Sequence, residues 1–172
     1  MPTVMVSPAS PTHAPATRHH PAVADPDPAA AAQADPTEGR IVRMIDGDTV
    51  VARLRSGRRR HVRLLGIDTP EIYGHVECGG HAASRSARRM LPRGTRVVLI
   101  SDPTQHRVDR YGRLLRYVIR SRDHRDIDHA QVWLGHARVY MYQHTAFRRV
   151  KSYRQALRSA RSHNRGLWGH CR

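Results

Sequence analysis

The chain has 172 residues with 30 Lys and Arg against 14 Asp and Glu, a formal net charge of +16, and a length that can bury one sizeable core but hardly two. No stretch approaches the roughly 18 apolar residues of a membrane-spanning helix, so no membrane span is expected. The positive excess favours a polyanionic partner, nucleic acid first, although an anionic membrane, a cell wall or a merely soluble basic surface would carry the same charge.

Residues 1–40 are rich in Pro, Ala, His and Asp, with no aromatic residue and no apolar period. They read as a disordered Pro/Ala-rich tail. Their two Arg and four acids, taken from the chain totals, leave 28 basic against 10 acidic residues, a net +18, in the single domain expected over 41–172. The tail shows no basic start followed by an apolar core, so no signal peptide is visible; its longest apolar run is Ala29 to Ala32.

Ile41 to Ile45 reads as a strand, Asp46 to Asp48 as a tight turn and Thr49 to Leu54 as a second strand. Ser56-Gly57 breaks it and His61 to Ile67 returns as a third, a meander with turn residues where the strands stop. Ala83, Ala87, Met90 and Leu91 recur at helical spacing within Ala82 to Leu91, which Pro92 and Gly94 end. Arg96 to Ile100 and Arg113 to Arg120 are two further strands. Ile127 to Leu134 is a second helix, capped near Asp126 or Asp128. The third runs from Phe147 to Asn164, with Val150, Tyr153, Leu157 and Ala160 on one face and Gly166 at its C-terminal cap. Five short strands with a helix between the third and fourth are the order of an OB-fold five-stranded β-barrel, here an α+β domain with three α-helices. That barrel also serves many binders, so the fold alone does not make an enzyme.

Cys78 and Cys171 are the two cysteines. A disulfide between them would staple the C-terminal end to the body and imply an oxidising, secreted or extracellular setting. A metal site is the rival, since His75, Cys78 and His81 follow a His-x-x-Cys-x-x-His spacing and His170 adjoins Cys171; two free thiols are the third reading.

Asp48 leaves a Gly-containing turn and Asp68 ends a neighbouring strand. If the meander brings them together, a cation between them offsets their repulsion, and such hard oxygens suit Ca2+, with the Thr69 carbonyl as a further ligand, or Mg2+ with more waters. The closing Glu of an EF-hand loop is missing. A plain hairpin turn is the alternative for Asp46-Gly47-Asp48. Arg63 and Asp68 differ by an odd number and would face opposite sides of a regular strand. A bulge at Gly66 and a turn at Thr69-Pro70 would break that parity and carry Glu71 to the same place, to orient or deprotonate a water. Arg63 and Arg113 can each give a phosphate two parallel hydrogen bonds.

Asp48-Thr49, Arg63 through Glu71, Asp109-Arg110-Tyr111-Gly112-Arg113-Leu114-Leu115, Gly135 through Tyr140 and Gly166-Leu167-Trp168 together resemble the staphylococcal nuclease (thermonuclease) family, over nearly all of 41–172. The resemblance implies an OB barrel with three helices and Ca2+-dependent endonuclease cleavage of DNA and RNA to 3′-phosphate ends by a monomer. It implies Asp48, Asp68 and Thr69 as calcium ligands, Glu71 as the water-positioning or general-base residue, and Arg63 and Arg113 as phosphate clamps. Arg110, Tyr111, Tyr140 and Tyr142 would border the nucleotide, though the spacing around Tyr140 and Tyr142 is one residue shorter than in the type member. Cys78 and Cys171 depart from that cysteine-free enzyme and suggest a disulfide-stapled branch. Some relatives keep the barrel without the catalytic residues, so a non-catalytic basic OB-fold nucleic-acid-binding module is the alternative.

Overall fold

The computed structural model describes residues 36–171. The tail expected over 1–40 therefore lies outside the described residues up to position 35. Its last residues do not belong to a tail: strand β1 spans Thr37–Met44, four residues ahead of the expected start. Thr37 to Arg40 pair with Leu99 to Arg96. These pairings are made by backbone groups, which explains why a stretch with no apolar side chain is a strand at all.

The remaining strands are β2 (Thr49–Leu54), β3 (Arg59–Leu64), β4 (Ile67–Asp68), β5 (Arg96–Ile100), β6 (Leu114–Arg120), β7 (Arg125–Asp126) and β8 (Arg138–Val139). β1 pairs antiparallel with β2 and β5, β2 with β3, and β5 with β6. A parallel pairing of β3 with β6 closes these five strands into a mixed barrel. In β3 the alternation is regular, with Val62 and Leu64 facing the core and Arg59 and His61 exposed, whereas in β2 Thr49 and Val51 are buried along with Val50, Ala52 and Leu54, and Arg53 is exposed. On β6 both faces are covered. Leu114, Tyr117 and Val118 are buried, and so are Arg116 and Arg120, whose guanidiniums are satisfied by the Arg107 carbonyl and by Asp123 with the Met90 carbonyl.

Three helices complete the α+β domain. Helix α1 (Gly80–Met90) packs Ala83, Ala87 and Met90 inward, and Leu91 just beyond it is also buried in the core. Helix α2 (Ile127–Trp133) begins at Asp126, whose carboxylate accepts the His129 N–H at 3.0 Å, as a cap should. The same carboxylate accepts from Tyr153 Oη at 3.0 Å and Arg149 Nη1 at 2.6 Å, which ties α2 to helix α3 (Val150–Ser162). Gly166, expected to cap α3, lies four residues beyond its end and opens a further one-turn helix, α4 (Leu167–His170).

Cys78 and Cys171 form a disulfide with Cα atoms 5.8 Å apart. The bond removes both the metal-site and the free-thiol readings, because neither thiol remains free to ligate. It closes a 93-residue separation, for which the chain-entropy contribution is about 4 to 5 kcal/mol at most. Among the described residues no helix is long and apolar enough to cross a membrane.

Candidate active site

The β1–β2 turn is built around two aspartates. Asp46 Oδ1 accepts the backbone N–H groups of Asp48 at 2.9 Å and Thr49 at 2.6 Å, an Asx turn that sets the direction of the next carboxylate. Asp48 is buried. Its Oδ2 accepts from the Thr69 N–H at 2.9 Å and the Thr69 hydroxyl at 3.0 Å, and its Oδ1 from the Thr49 hydroxyl at 3.1 Å. Gly47 is the residue this contact requires, since a Cβ there would lie 2.6 Å from Thr69 Oγ1. From helix α2, buried Gln131 donates to the Gly47 carbonyl at 2.9 Å and to the Ala83 carbonyl of α1 at 3.1 Å, pinning the turn to both helices.

Arg63 and Asp68 do meet. β3 ends at Leu64 instead of running to Ile67, and Leu65-Gly66 form a turn, not a bulge within a strand. Gly66 has φ 78°, and a Cβ on it would lie 2.5 Å from the Phe147 ring, so glycine is required twice over. The chain re-enters as β4 against β8, with Ile67 opposite Val139 and Asp68 opposite Arg138. Arg63 Nη1 lies 3.0 Å from Asp48 Oδ2, and Nη2 donates to Asp68 Oδ1 at 2.9 Å. Nη1 also donates to the carbonyls of Ile67 (2.8 Å) and Leu64 (3.2 Å).

One guanidinium thus holds two acids. Burial pushes the Asp48 carboxyl above the usual carboxylate range against the pull of Arg63, and Asp46 adds to the rise. Burial does the same to Asp68, again opposed by Arg63 and reinforced by Asp48. Two acids that both resist ionisation beside a single cation are deficient in positive charge. A hard divalent cation would supply it, and the oxygen donors of Asp48, Asp68 and Thr69 fit one chemically. Two carboxylates leave most of its shell to carbonyl and water, for among the described residues no cluster of three or more His, Cys, Asp and Glu could hold a metal.

Glu71 is not drawn into this cluster. It is exposed across Pro70, with its backbone tied to Glu77: the Glu71 N–H donates to Glu77 Oε2 at 3.2 Å and the Glu77 N–H to the Glu71 carbonyl at 3.0 Å. The Tyr73 hydroxyl anchors the same loop to the Ile45 carbonyl at 3.0 Å.

Arg113 sits on a separate turn. Asp109 accepts from Arg113 Nε at 2.7 Å and from the N–H groups of Tyr111 and Arg113 at 2.9 and 3.0 Å. The exposed Tyr111 ring is covered by the guanidiniums of Arg110 and Arg113 at 4.8 and 5.2 Å from its centroid, and Arg110 Nη2 donates to the Tyr111 hydroxyl at 2.6 Å. That hydrogen bond holds Arg110 more firmly in its charged form, with Tyr142 adding to the effect. Tyr140 donates its N–H to the Gly66 carbonyl at 2.9 Å and exposes its ring, as does Tyr142 on a 3-10 turn at Tyr142–His144.

Asp46, Asp109 and Gln131 were not singled out as site residues from the sequence. The Asp-Gly-Asp-Thr and Asp-Arg-Tyr-Gly-Arg turns carried a signal for the first two. A helical glutamine carries none.

The family model described as staphylococcal nuclease homologue matches residues 61–170. Thermonuclease from Staphylococcus hyicus is 30% identical over 132 residues, covering 75% of this chain and 74% of that protein. Thermonuclease from Staphylococcus intermedius is 35% identical over 103 residues, 58% of this chain and 59% of that protein. An uncharacterized protein from Methanocaldococcus jannaschii is 28% identical over 151 residues, 76% of this chain and 70% of the other.

Proposed function

Because the chain belongs to the staphylococcal nuclease homologue family, we propose that it is a Ca2+-dependent, sugar-nonspecific endonuclease that hydrolyses DNA and RNA to 3′-phosphate and 5′-hydroxyl ends. The observation that carries this reading is the single guanidinium of Arg63 set between Asp48 and Asp68. Bound by Asp48, Asp68 and the Thr69 carbonyl, Ca2+ supplies Lewis-acid polarisation of the phosphate and the positive charge that the two acids lack.

A guanidinium carries five N–H donors. Protein acceptors take those on Arg63 Nη1 and one on Nη2, which leaves Nε–H and one Nη2 hydrogen for a phosphate oxygen. Arg113, aimed by Asp109, donates to another. Glu71 takes a proton from the attacking water, whose oxygen forms the new P–O bond in line with the P–O5′ bond that breaks. The departing oxygen takes a proton from solvent water and leaves as the 5′-hydroxyl. Arg110, Tyr111, Tyr140 and Tyr142 border the nucleotide. The Cys78–Cys171 bond supports action in an oxidising, extracellular setting, and the enzyme acts as a monomer.

A non-catalytic basic OB-fold module is the rival, favoured by one observation: among the described residues the exposed Glu71 carboxylate has no partner. Incubating the full chain with plasmid and with single-stranded RNA in Ca2+ or in EDTA separates the two. Cleavage in Ca2+ alone, with 3′-phosphate ends, is expected. Binding without cleavage selects the rival, and 5′-phosphate ends overturn the mechanism even if cleavage occurs.

A further inference from the structure

The face of β3 that carries Arg63 continues into a second basic surface. Arg59, His61 and Arg63 are two residues apart and share one side of the strand. The register extends that side across the meander, with Thr49 beside Arg63, Val51 and then Arg43 beside His61, and Arg53 and then Arg40 beside Arg59. Where β1 approaches the end of α1, the surface deepens into a groove of about 580 Å3. Arg43 and Arg59 reach it from the strands and Arg88 and Arg93 from the end of α1 and beyond, over a floor that includes Met44 and Leu91.

All four arginines are exposed, and among the described residues none has an ion-pair or hydrogen-bond partner. No carboxylate and no aromatic ring lines the groove. Four like charges around a partly enclosed, low-dielectric space repel one another and concentrate the field, which an anion relieves. Guanidinium groups match phosphate oxygens in pairs. Without a ring there is nothing to stack on a base, so the surface suits a backbone irrespective of sequence.

We propose that this groove binds the sugar–phosphate backbone of a single strand of the substrate at a distance from the phosphate held by Arg63. The inference rests on the nuclease reading for which phosphate is cut, but not for the binding itself. Residues two apart on a strand are about 6.6 Å apart, so Arg59 lies about 13 Å along β3 from Arg63. At about 3.4 Å of axis per phosphate, a strand passing between them spans roughly four nucleotides. Substrates shorter than this reach the catalytic residues and miss the groove.

The test compares wild-type full chain with Arg43→Ala/Arg59→Ala/Arg88→Ala/Arg93→Ala and with a control that loses equal charge elsewhere, Arg122→Ala/Arg125→Ala/Lys151→Ala/Arg158→Ala. Fluorescence anisotropy in EDTA gives the affinity of each for a labelled single strand of about 16 nucleotides over a range of salt. Kinetics in Ca2+ are measured on that strand and on a dinucleotide. For the groove variant, affinity is expected to fall at least about tenfold and the log–log salt slope to lose about 2 to 3 units, at about 0.7 per phosphate contact. KM on the long strand rises in step, while kcat/KM on the dinucleotide stays at the wild-type value. Equal losses in the control variant, or unchanged affinity in the groove variant, overturn the proposal. A wild-type chain that binds without cutting ends the nuclease reading and leaves the groove to be decided by anisotropy. Should the fourfold variant misfold, Arg43→Ala/Arg93→Ala is expected to lose about half the slope change.

Discussion

Asp109 holds Arg113 twice, through the guanidinium Nε–H at 2.7 Å and the backbone N–H at 3.0 Å. The carboxylate fixes the turn and aims the side chain that leaves it, which makes Asp109 a positioning residue in the proposed reaction. Removing one preorganised donor loses about 10²- to 10³-fold in kcat, the effect expected of Arg113→Ala. Asp109→Asn keeps an acceptor for the turn and is expected to lose about tenfold; Asp109→Ala falls between it and Arg113→Ala. Steady-state kinetics on a dinucleotide checks the order, and wild-type kcat in Asp109→Ala refutes the positioning role.

Arg63 is the counter-charge of two acids, with side chains of Arg63 and Asp48 only 14% and 7% exposed. Arg63→Ala strands Asp48 and Asp68 together and is expected to cost about 3 to 5 kcal/mol in EDTA. Adding Asp68→Asn to Arg63→Ala removes one of the repelling charges and should recover part of that loss. Urea unfolding of the three proteins reads both numbers. If the double variant is no more stable than Arg63→Ala, the shared-cation account of these acids is wrong.

Asp128 is wholly buried at the start of α2, and one of its oxygens receives the Val118 N–H at 3.3 Å. Burial, and then the neighbouring Asp126, push its carboxyl well above the usual range. The folded state therefore keeps a proton that the unfolded chain releases above about pH 4. This group's penalty is absent below that point and grows as pH rises toward the folded pKa. Asp128→Asn removes the titration, so it should be more stable than wild type at pH 8, with the gap closing toward pH 4. Urea midpoints across that range test the sign; a gap that widens in acid contradicts it.

The disulfide anchors the loop carrying Glu71 and Glu77 to α4. Reduction, or Cys78→Ser/Cys171→Ser, is expected to lower stability by about 2 to 5 kcal/mol. Thermal melts with and without reductant measure it, and the serine variant should show no further response to reductant. An unchanged melting temperature on full reduction would mean that the 93-residue closure contributes nothing.

The bend between Arg63 and Asp68 was legible because an odd separation on a strand poses a geometric contradiction that a break at Gly66 resolves, although the break is a turn at Leu65-Gly66 and not the expected bulge. The barrel order and the Asp126 cap were legible because they rest on apolar alternation and local side-chain-to-backbone bonds. What remained hidden depends on partners far away in sequence. Gln131 reaches a carbonyl 84 residues distant, and Thr69 packs on Gly47; neither contact has a period. Thr37 to Arg40 gave no strand signal because they are held by the backbone of β5. Arg116 and Arg120 look like surface charge, yet both are buried beside carbonyl acceptors.

Phe147 presses against Gly66, and Val139 pairs with Ile67. Both supports are encoded well after the bend they hold. At about 5 to 20 residues per second, a ribosome delivers them several seconds after Arg63 has emerged. Until then Arg63 and Asp68 lack the scaffold that brings them together.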